Sequence, residues 1–373
     1  MENNESVNVE PSANGQLLKT KSEFDISCSA LATMMFIVLN ILFSFVLVAF
    51  NVKIKMGSFL YYVLHLVVEG IFALAAYIVA KAKKVNLFEG AGMKKKINGN
   101  IVGLCFLVAL ISLFGFGNLT NVFISFLEKF GLNSEKGTIE INNFGQYLGM
   151  ILSSCAMAGF AEELLFRGVI QSGFKKWGIK VAVGVSAIIF MIMHGSVLQT
   201  IHQLIIGIVI GYIFYKTNNL WIGVVIHFFN NFIPVTEVYL LTLIAKSGTA
   251  SEVAAETASQ TSGFGTIFIE FIIALFVAWA GYYLISLIFK KIIKENEKLN
   301  GKEDENEMVA SIVVDGETQE VEMSIDGEPA TNGEEIVQAK KEKPKISGVT
   351  IAIFAISGLY LLLEWILGTI SMF

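Results

Sequence analysis

Two adjacent glutamates and an arginine close a long apolar run: Ala161-Glu162-Glu163-Leu164-Leu165-Phe166-Arg167-Gly168 ends a stretch that begins near Tyr147. A charged side chain inside a bilayer is costly even on lenient insertion scales, so charge at this place reads as a working site. On a helix, Glu163 and Arg167 are four apart and share a face, where they can form a charge-assisted pair that reads as structural support. Glu162 points about 100° away from Glu163 and is left as the free carboxylate. Later apolar runs carry His194, and then His227 and Asn231, which lie four apart and so one turn from each other on a single face. A carboxylate beside a neutral imidazole can hold and deprotonate a water. An imidazole and an amide NH₂ can donate hydrogen bonds to a developing oxyanion. That set suits hydrolysis of an amide. Glu162, His194 and His227 are also a two-histidine, one-carboxylate set of the kind that holds catalytic zinc, although no HExxH motif is present to favour the metal.

Such residues need elements that bring them to one depth. The 373 residues are 54% hydrophobic with only four prolines, and the mean hydropathy is +0.65. That composition belongs to a polytopic membrane protein, expected to be all-α. Apolar runs near 29–50, 58–80, 101–116, 147–170, 181–194, 201–215, 220–244, 265–289 and 347–370 predict about nine transmembrane helices, with the polar site between helices four, five and seven. Leu119 to Leu127 reads as an extra interfacial or re-entrant piece. The expected organisation is a polar segment 1–28, N-terminal helices 29–146, a catalytic core 147–245, a loop and eighth helix 246–293, an acidic soluble loop 294–346 and a last helix 347–373. Within the acidic loop, Ser311–Val314 and Gln319–Met323 flank Asp315-Gly316 and predict a small hairpin. The residues through Asp25 show no charged-then-apolar leader, so the first apolar run is expected to stay as a span.

Lysine and arginine crowd alternate loops: Lys81 to Lys96, then Arg167 to Lys180, then Lys216. This asymmetry places those loops and the N-terminus in the cytoplasm, as in a bacterial plasma membrane, and Phe373 outside. Taking the lysines as interface markers and a rise of about 1.5 Å per residue, Glu162 lies roughly 20 Å from Lys175, His194 roughly 21 Å from Lys180, and His227 and Asn231 roughly 16 and 22 Å from Lys216. They converge near mid-membrane, provided that the fourth helix overshoots the interface and the fifth is short. Gly195 and Ser196 permit a break after His194.

Other chemistries are argued against by what is missing. Asp25, Asp304, Asp315 and Asp326 are the only aspartates and all lie outside the apolar runs, so no intramembrane aspartyl dyad can form. No apolar run carries a Gly-x-Ser-Gly nucleophile motif. Cys28, Cys105 and Cys155 have no CxxC spacing and read as packing residues. The net charge of −5 says little about partners, because most of the acid sits in one late loop, and no nucleic-acid partner is expected. His202 is expected at an interface or in a loop, and His65 with Glu69 as a structural i,i+4 pair rather than a proton relay. Glu237, Glu270 and Glu364 have no partner in sight.

Three motifs now resemble a known family. Glu162-Glu163-x-x-x-Arg167 resembles the EExxxR of the CPBP intramembrane proteases (CAAX proteases and bacteriocin-processing enzymes, also called Abi). Phe190-x-x-x-His194 resembles their FxxxH, and His227-x-x-x-Asn231 their HxxxN, over about Tyr147 to Pro234. The resemblance implies a glutamic protease without a metal cofactor, in which Glu162 and His194 activate water, His227 and Asn231 stabilise the oxyanion, and Glu163 and Arg167 support them. Its partners would be the lipid bilayer and a membrane-associated peptide or protein. Eukaryotic relatives, the type II CAAX prenyl proteases, remove the last three residues of prenylated proteins. Bacterial relatives are linked to peptide maturation and bacteriocin self-immunity. Three alternatives stand beside this reading: a zinc protease built on the same residues, a non-catalytic immunity or scaffold protein, and an ion or proton transporter using Glu69, Glu162 and the histidines. The last is disfavoured because no inverted repeat with paired broken helices is visible.

Overall fold

The computed structural model describes residues 9–11, 17–19, 23–134, 140–247, 263–301, 308–314, 317–323 and 346–373. Among the described residues, nine apolar helices form one unit, Phe24–Asn300 with Ile346–Phe373. They are α1 Ile26–Ala49, α2 Phe59–Ala82, α3 Gly99–Glu128, α4 Phe144–Gln171, α5 Ile179–Met193, α6 Thr200–Thr217, α7 Leu220–Lys246, α8 Phe264–Asn300 and α9 Gly348–Ile370. Eight are long and apolar enough to cross a membrane when α6 is taken with the turn before it, Val197–Gln199. α5, with 15 residues, reaches only about 22 Å. The chain is an integral membrane protein, and its membrane unit is all-α, as composition predicts.

Polar side chains set where these helices begin. Asp25, Ser58, Asn98, Asn143, Asn219 and Ser347 each accept a backbone N–H from the first turn of the helix that follows, satisfying a donor that apolar surroundings cannot. Asn218 closes α6 in the left-handed region at φ 45°, so that two adjacent asparagines end one helix and start the next.

Two helices run past their expected ends. α3 continues through Leu119 to Glu128 as one 30-residue helix, so the proposed re-entrant piece is simply its second half. α3 packs along α8, and the crossing is close: a Cβ on either Gly115 or Gly281 would sit 3.3 Å from the other's Cα. α8 extends to Asn300, beyond the loop boundary expected near Lys294. Its last turns are held by polar bonds: Asn296 Oδ1 accepts from Asn219 Nδ2 at 2.9 Å, Asn300 Oδ1 accepts from Lys96 N at 2.8 Å, and Glu295 Oε1 accepts from Asn98 Nδ2 at 2.9 Å.

A second unit, Met1–Glu23 with Gly301–Lys345, contains two antiparallel hairpins. Strand β1 (Val9–Pro11) pairs with β2 (Leu17–Lys19), and β3 (Met308–Val314) pairs with β4 (Glu317–Met323). Val314 lies opposite Glu317, so the two predicted strands pair, while the Asp315-Gly316 turn lies outside the described residues.

Candidate active site

α4 is not a uniform helix. Residues Ile151–Met157 and Leu164–Gln171 are π-helical, and the α-helical piece Ala158–Glu163 between them presents both glutamates. Wide turns of this kind are rare and recur at functional sites. Glu162 and Glu163 are 6% and 0% exposed and Arg167 1%, so all three are buried polar groups that need partners.

Arg167 has two such partners. Its Nη1 donates to Glu163 Oε1 at 3.0 Å and its Nη2 to the Gly207 carbonyl of α6 at 3.2 Å, while the guanidinium lies 4.7 Å from the centroid of the Phe190 ring. One turn on, Gln171 Nε2 donates to the Gly211 carbonyl at 2.7 Å. α4 and α6 are thus joined by two rungs, each set opposite a glycine. Sequence reading missed Gln171, whose only signal is its place four residues after Arg167.

Glu163 does more than pair with the arginine. The same Oε1 lies 2.8 Å from His227 Nδ1, so Arg167, Glu163 and His227 form one chain across α4 and α7. A carboxylate on Nδ1 fixes the ring and aims Nε2 the other way. That Nε2 is 3.9 Å from Glu162 Oε2.

His194 arrives from α5. It caps the helix, and Gly195, at φ 57°, reverses the chain directly after it, as Gly195-Ser196 suggests. Nδ1 lies 2.8 Å from the Phe190 carbonyl and must donate to it, which leaves the Nε2 lone pair facing Glu162 Oε2 at 4.0 Å. Glu162 Oε2 itself is buried with no hydrogen-bond partner.

Asn231, one turn beyond His227, donates from Nδ2 to the Ser154 carbonyl at 2.8 Å, and its Oδ1 lies 3.3 Å from Asn230 Nδ2. It ties α7 to the first π-helical stretch, and the second N–H of the same nitrogen is still to be placed. Of the predicted residues, Glu162, Glu163, Arg167, His194 and His227 therefore meet directly, while Asn231 joins them through the backbone of α4.

His202 is not the interfacial residue expected from its position. It is the third residue of α6, partly buried, with Nε2 3.0 Å from Asn230 Nδ2 and close enough to His194 and His227 to interact electrostatically. His65 and Glu69 do pair as expected, and the pair borders the site. His65 Nε2 is 3.3 Å from Glu69 Oε1, His65 Nδ1 is 3.3 Å from Ser154 Oγ, and the Glu69 carboxyl interacts with that of Glu162.

A zinc ion does not fit this arrangement as it stands. Tetrahedral ligands at Zn–N and Zn–O distances near 2.0–2.1 Å lie about 3.3 Å from one another. The histidine nitrogens here are 3.9 and 4.0 Å from Glu162 Oε2, and among the described residues no group of three His, Cys, Asp or Glu could hold a metal.

Residues 144–233 match the family model described as Rce1-like, type II CAAX prenyl endopeptidase Rce1-like. Over this segment the chain is similar to the CAAX prenyl endopeptidases, which supports the resemblance to the CPBP family drawn from its motifs. The matched CAAX protease segment is about a quarter of the chain and runs from the start of α4 to just beyond Asn231. No curated protein and no solved structure matches the chain.

Much of what surrounds the CAAX protease segment lies outside the match. A cavity of about 330 Å³ opens beside Glu162 and His194, walled by α1, α2 and α9 as well as by α4 and α5. Phe36, Phe72 and Phe166 line one side in succession, Phe36 against Phe72 at 4.1 Å and Phe72 against Phe166 at 6.0 Å, and Phe190 packs behind Phe166 at 4.8 Å between centroids. Glu364 of α9, unpartnered in the sequence reading, lines this cavity and accepts from Tyr360 Oη at 2.9 Å. Glu237 and Glu270 do not line it.

Proposed function

We propose that this protein is an intramembrane endopeptidase that hydrolyses a peptide bond of a membrane-associated peptide or protein with a water held between Glu162 and His194. One observation carries the reading: Glu162 Oε2, buried and unbonded, faces two imidazole Nε2 atoms at 3.9 and 4.0 Å, gaps too long for direct hydrogen bonds and suited to a molecule between them. In this reading Glu162 takes a proton from the water, whose oxygen attacks the scissile carbonyl carbon. His194 Nε2 accepts the second O–H and orients the nucleophile. His227, as the imidazolium with its Nδ1–H on the Glu163 carboxylate, donates from Nε2 to the developing oxyanion, and Asn231 offers its remaining N–H. As the tetrahedral intermediate collapses, the C–N bond breaks and Glu162 returns its proton to the leaving amine.

The match to the CAAX endopeptidase model supports trimming near the C-terminus of a substrate protein. The motifs also fit the maturation of a bacterial peptide or self-immunity, with the N-terminus on the cytoplasmic side of a bacterial plasma membrane. Reconstituted protein and membrane-anchored peptides test the chemistry. Glu162→Ala and His194→Ala are each expected to lower cleavage by about 10²-fold or more with insertion unchanged. Full activity in either would end the proposal. Cleavage is expected to survive a strong chelator. Loss on chelation with recovery on adding zinc would turn Glu162, His194 and His227 into metal ligands.

A further inference from the structure

The cavity beside Glu162 has an acidic lining. Glu69 of α2, Glu162 of α4 and Glu364 of α9 line it, and no lysine or arginine does. Arg167, the nearest guanidinium, is already bonded to Glu163 and to the Gly207 carbonyl. Glu69 is only 5% exposed. Its Oε1 takes His65 at 3.3 Å, but its Oε2 is buried with no hydrogen-bond partner. A carboxylate oxygen hidden from water and left unbonded marks a place for a donor. Glu364 approaches from the last helix, on the exposed side, with Tyr360 Oη donating to its Oε1 at 2.9 Å.

The remaining walls narrow the choice of ligand. Phe36, Phe72, Phe166 and Leu361 offer apolar and aromatic surface. Acidic groups above such walls match a side chain with a long methylene stem and a charged head, a lysine or an arginine. A free peptide C-terminus or an acidic side chain would instead add a carboxylate to three others.

We propose that this cavity is a subsite for a basic side chain of the substrate, with Glu69 and Glu364 as its specificity-determining carboxylates. That this side chain stands next to the scissile bond rests on the catalytic role proposed for Glu162. The binding preference itself does not.

The test uses the full chain in detergent and a fluorescent apolar peptide, N-methylated at its central amide so that it cannot be cut there, carrying either lysine or acetyl-lysine next to that amide. The lysine peptide is expected to bind about 10-fold more tightly, as a desolvated charge pair allows. The ratio should shrink in Glu364→Gln and approach one in the Glu69→Gln/Glu364→Gln double variant. Equal Kd values for the two peptides, or a ratio unchanged in Glu364→Gln, would overturn the subsite. Glu364 is exposed, so that variant remains interpretable if the buried Glu69→Gln change fails to fold. Matched peptides with an ordinary amide separate the two ideas. Cleavage that ignores charge sinks the subsite alone, whereas charge-selective binding without cleavage sinks the protease reading alone.

Discussion

The segment 144–233 and the helices around it, α1, α2 and α9, build opposite sides of one cavity by different means. In the matched segment the polar groups come in pairs one turn apart: Glu163 with Arg167, Phe190 with His194, His227 with Asn231. Each pair is fixed by its own helix and then cross-linked, as Glu163 is to His227 at 2.8 Å. In the outer helices Glu69 and Glu364 stand 295 positions apart and meet only because α1 packs against both α2 and α9. Local spacing carries the chemistry, while long-range packing carries the shape of what is admitted. Changes in the first region should therefore abolish turnover or stability, and changes in the second should redirect selectivity.

The comparison breaks most visibly at Arg167. Arg167→Ala leaves the buried Glu163 carboxylate with His227 as its one remaining side-chain partner, which is expected to cost about 3 kcal/mol of stability, seen as a lowered Tm in detergent. It should also release the His227 ring and with it most of the activity. Arg167→Lys should not restore function, because a point charge cannot reach both Glu163 and the Gly207 carbonyl as the guanidinium fork does. A fully active, fully stable Arg167→Ala protein would show that the pair supports nothing.

A smaller effect is expected one step away, at Gly223. A Cβ there would sit 2.9 Å from Ile210 Cγ2 and 3.1 Å from Glu163 Oε2. Gly223→Ala should push Glu163 and lower kcat by about 10-fold, since small misplacements at a catalytic group are amplified in rate. Unchanged kcat would mean that Glu163 need not hold His227 in place. The smallest effect is expected at Glu237 and Glu270, on α7 and α8 away from the cavity. Glu237→Gln and Glu270→Gln should leave both cleavage and peptide selectivity where they were, and a loss in either would extend the site beyond the walls described.

What could be read from the sequence follows the same division. The 100° offset between adjacent helical residues separates Glu162 from the Arg167 pair, and in the structure Glu163 bonds Arg167 and His227 while Glu162 faces the Nε2 atoms of His194 and His227. The short α5 and the break at Gly195 follow from chain length and residue type. The π-helical turns of α4 were not legible, because no residue pattern distinguishes a widened turn from an ordinary one in an apolar run. His202 reads as an interfacial or loop residue, and His65 with Glu69 as a structural pair, for a related reason: spacing along one helix cannot say which neighbour that helix will face. The polar end of α8 also escaped notice. Asn296 and Asn300 look like the start of a solvated loop until Asn219 and Lys96 are brought beside them.

Because α9 is the latest-made of the described membrane helices, the enclosure around Glu162 is finished only after all the others have been made. Until then the half-assembled bundle would carry its reactive groups in an open-sided trough, with Glu364 and Tyr360 not yet in position. A truncation that stops short of α9 would therefore yield a protein with its chemistry in place and its power to discriminate missing.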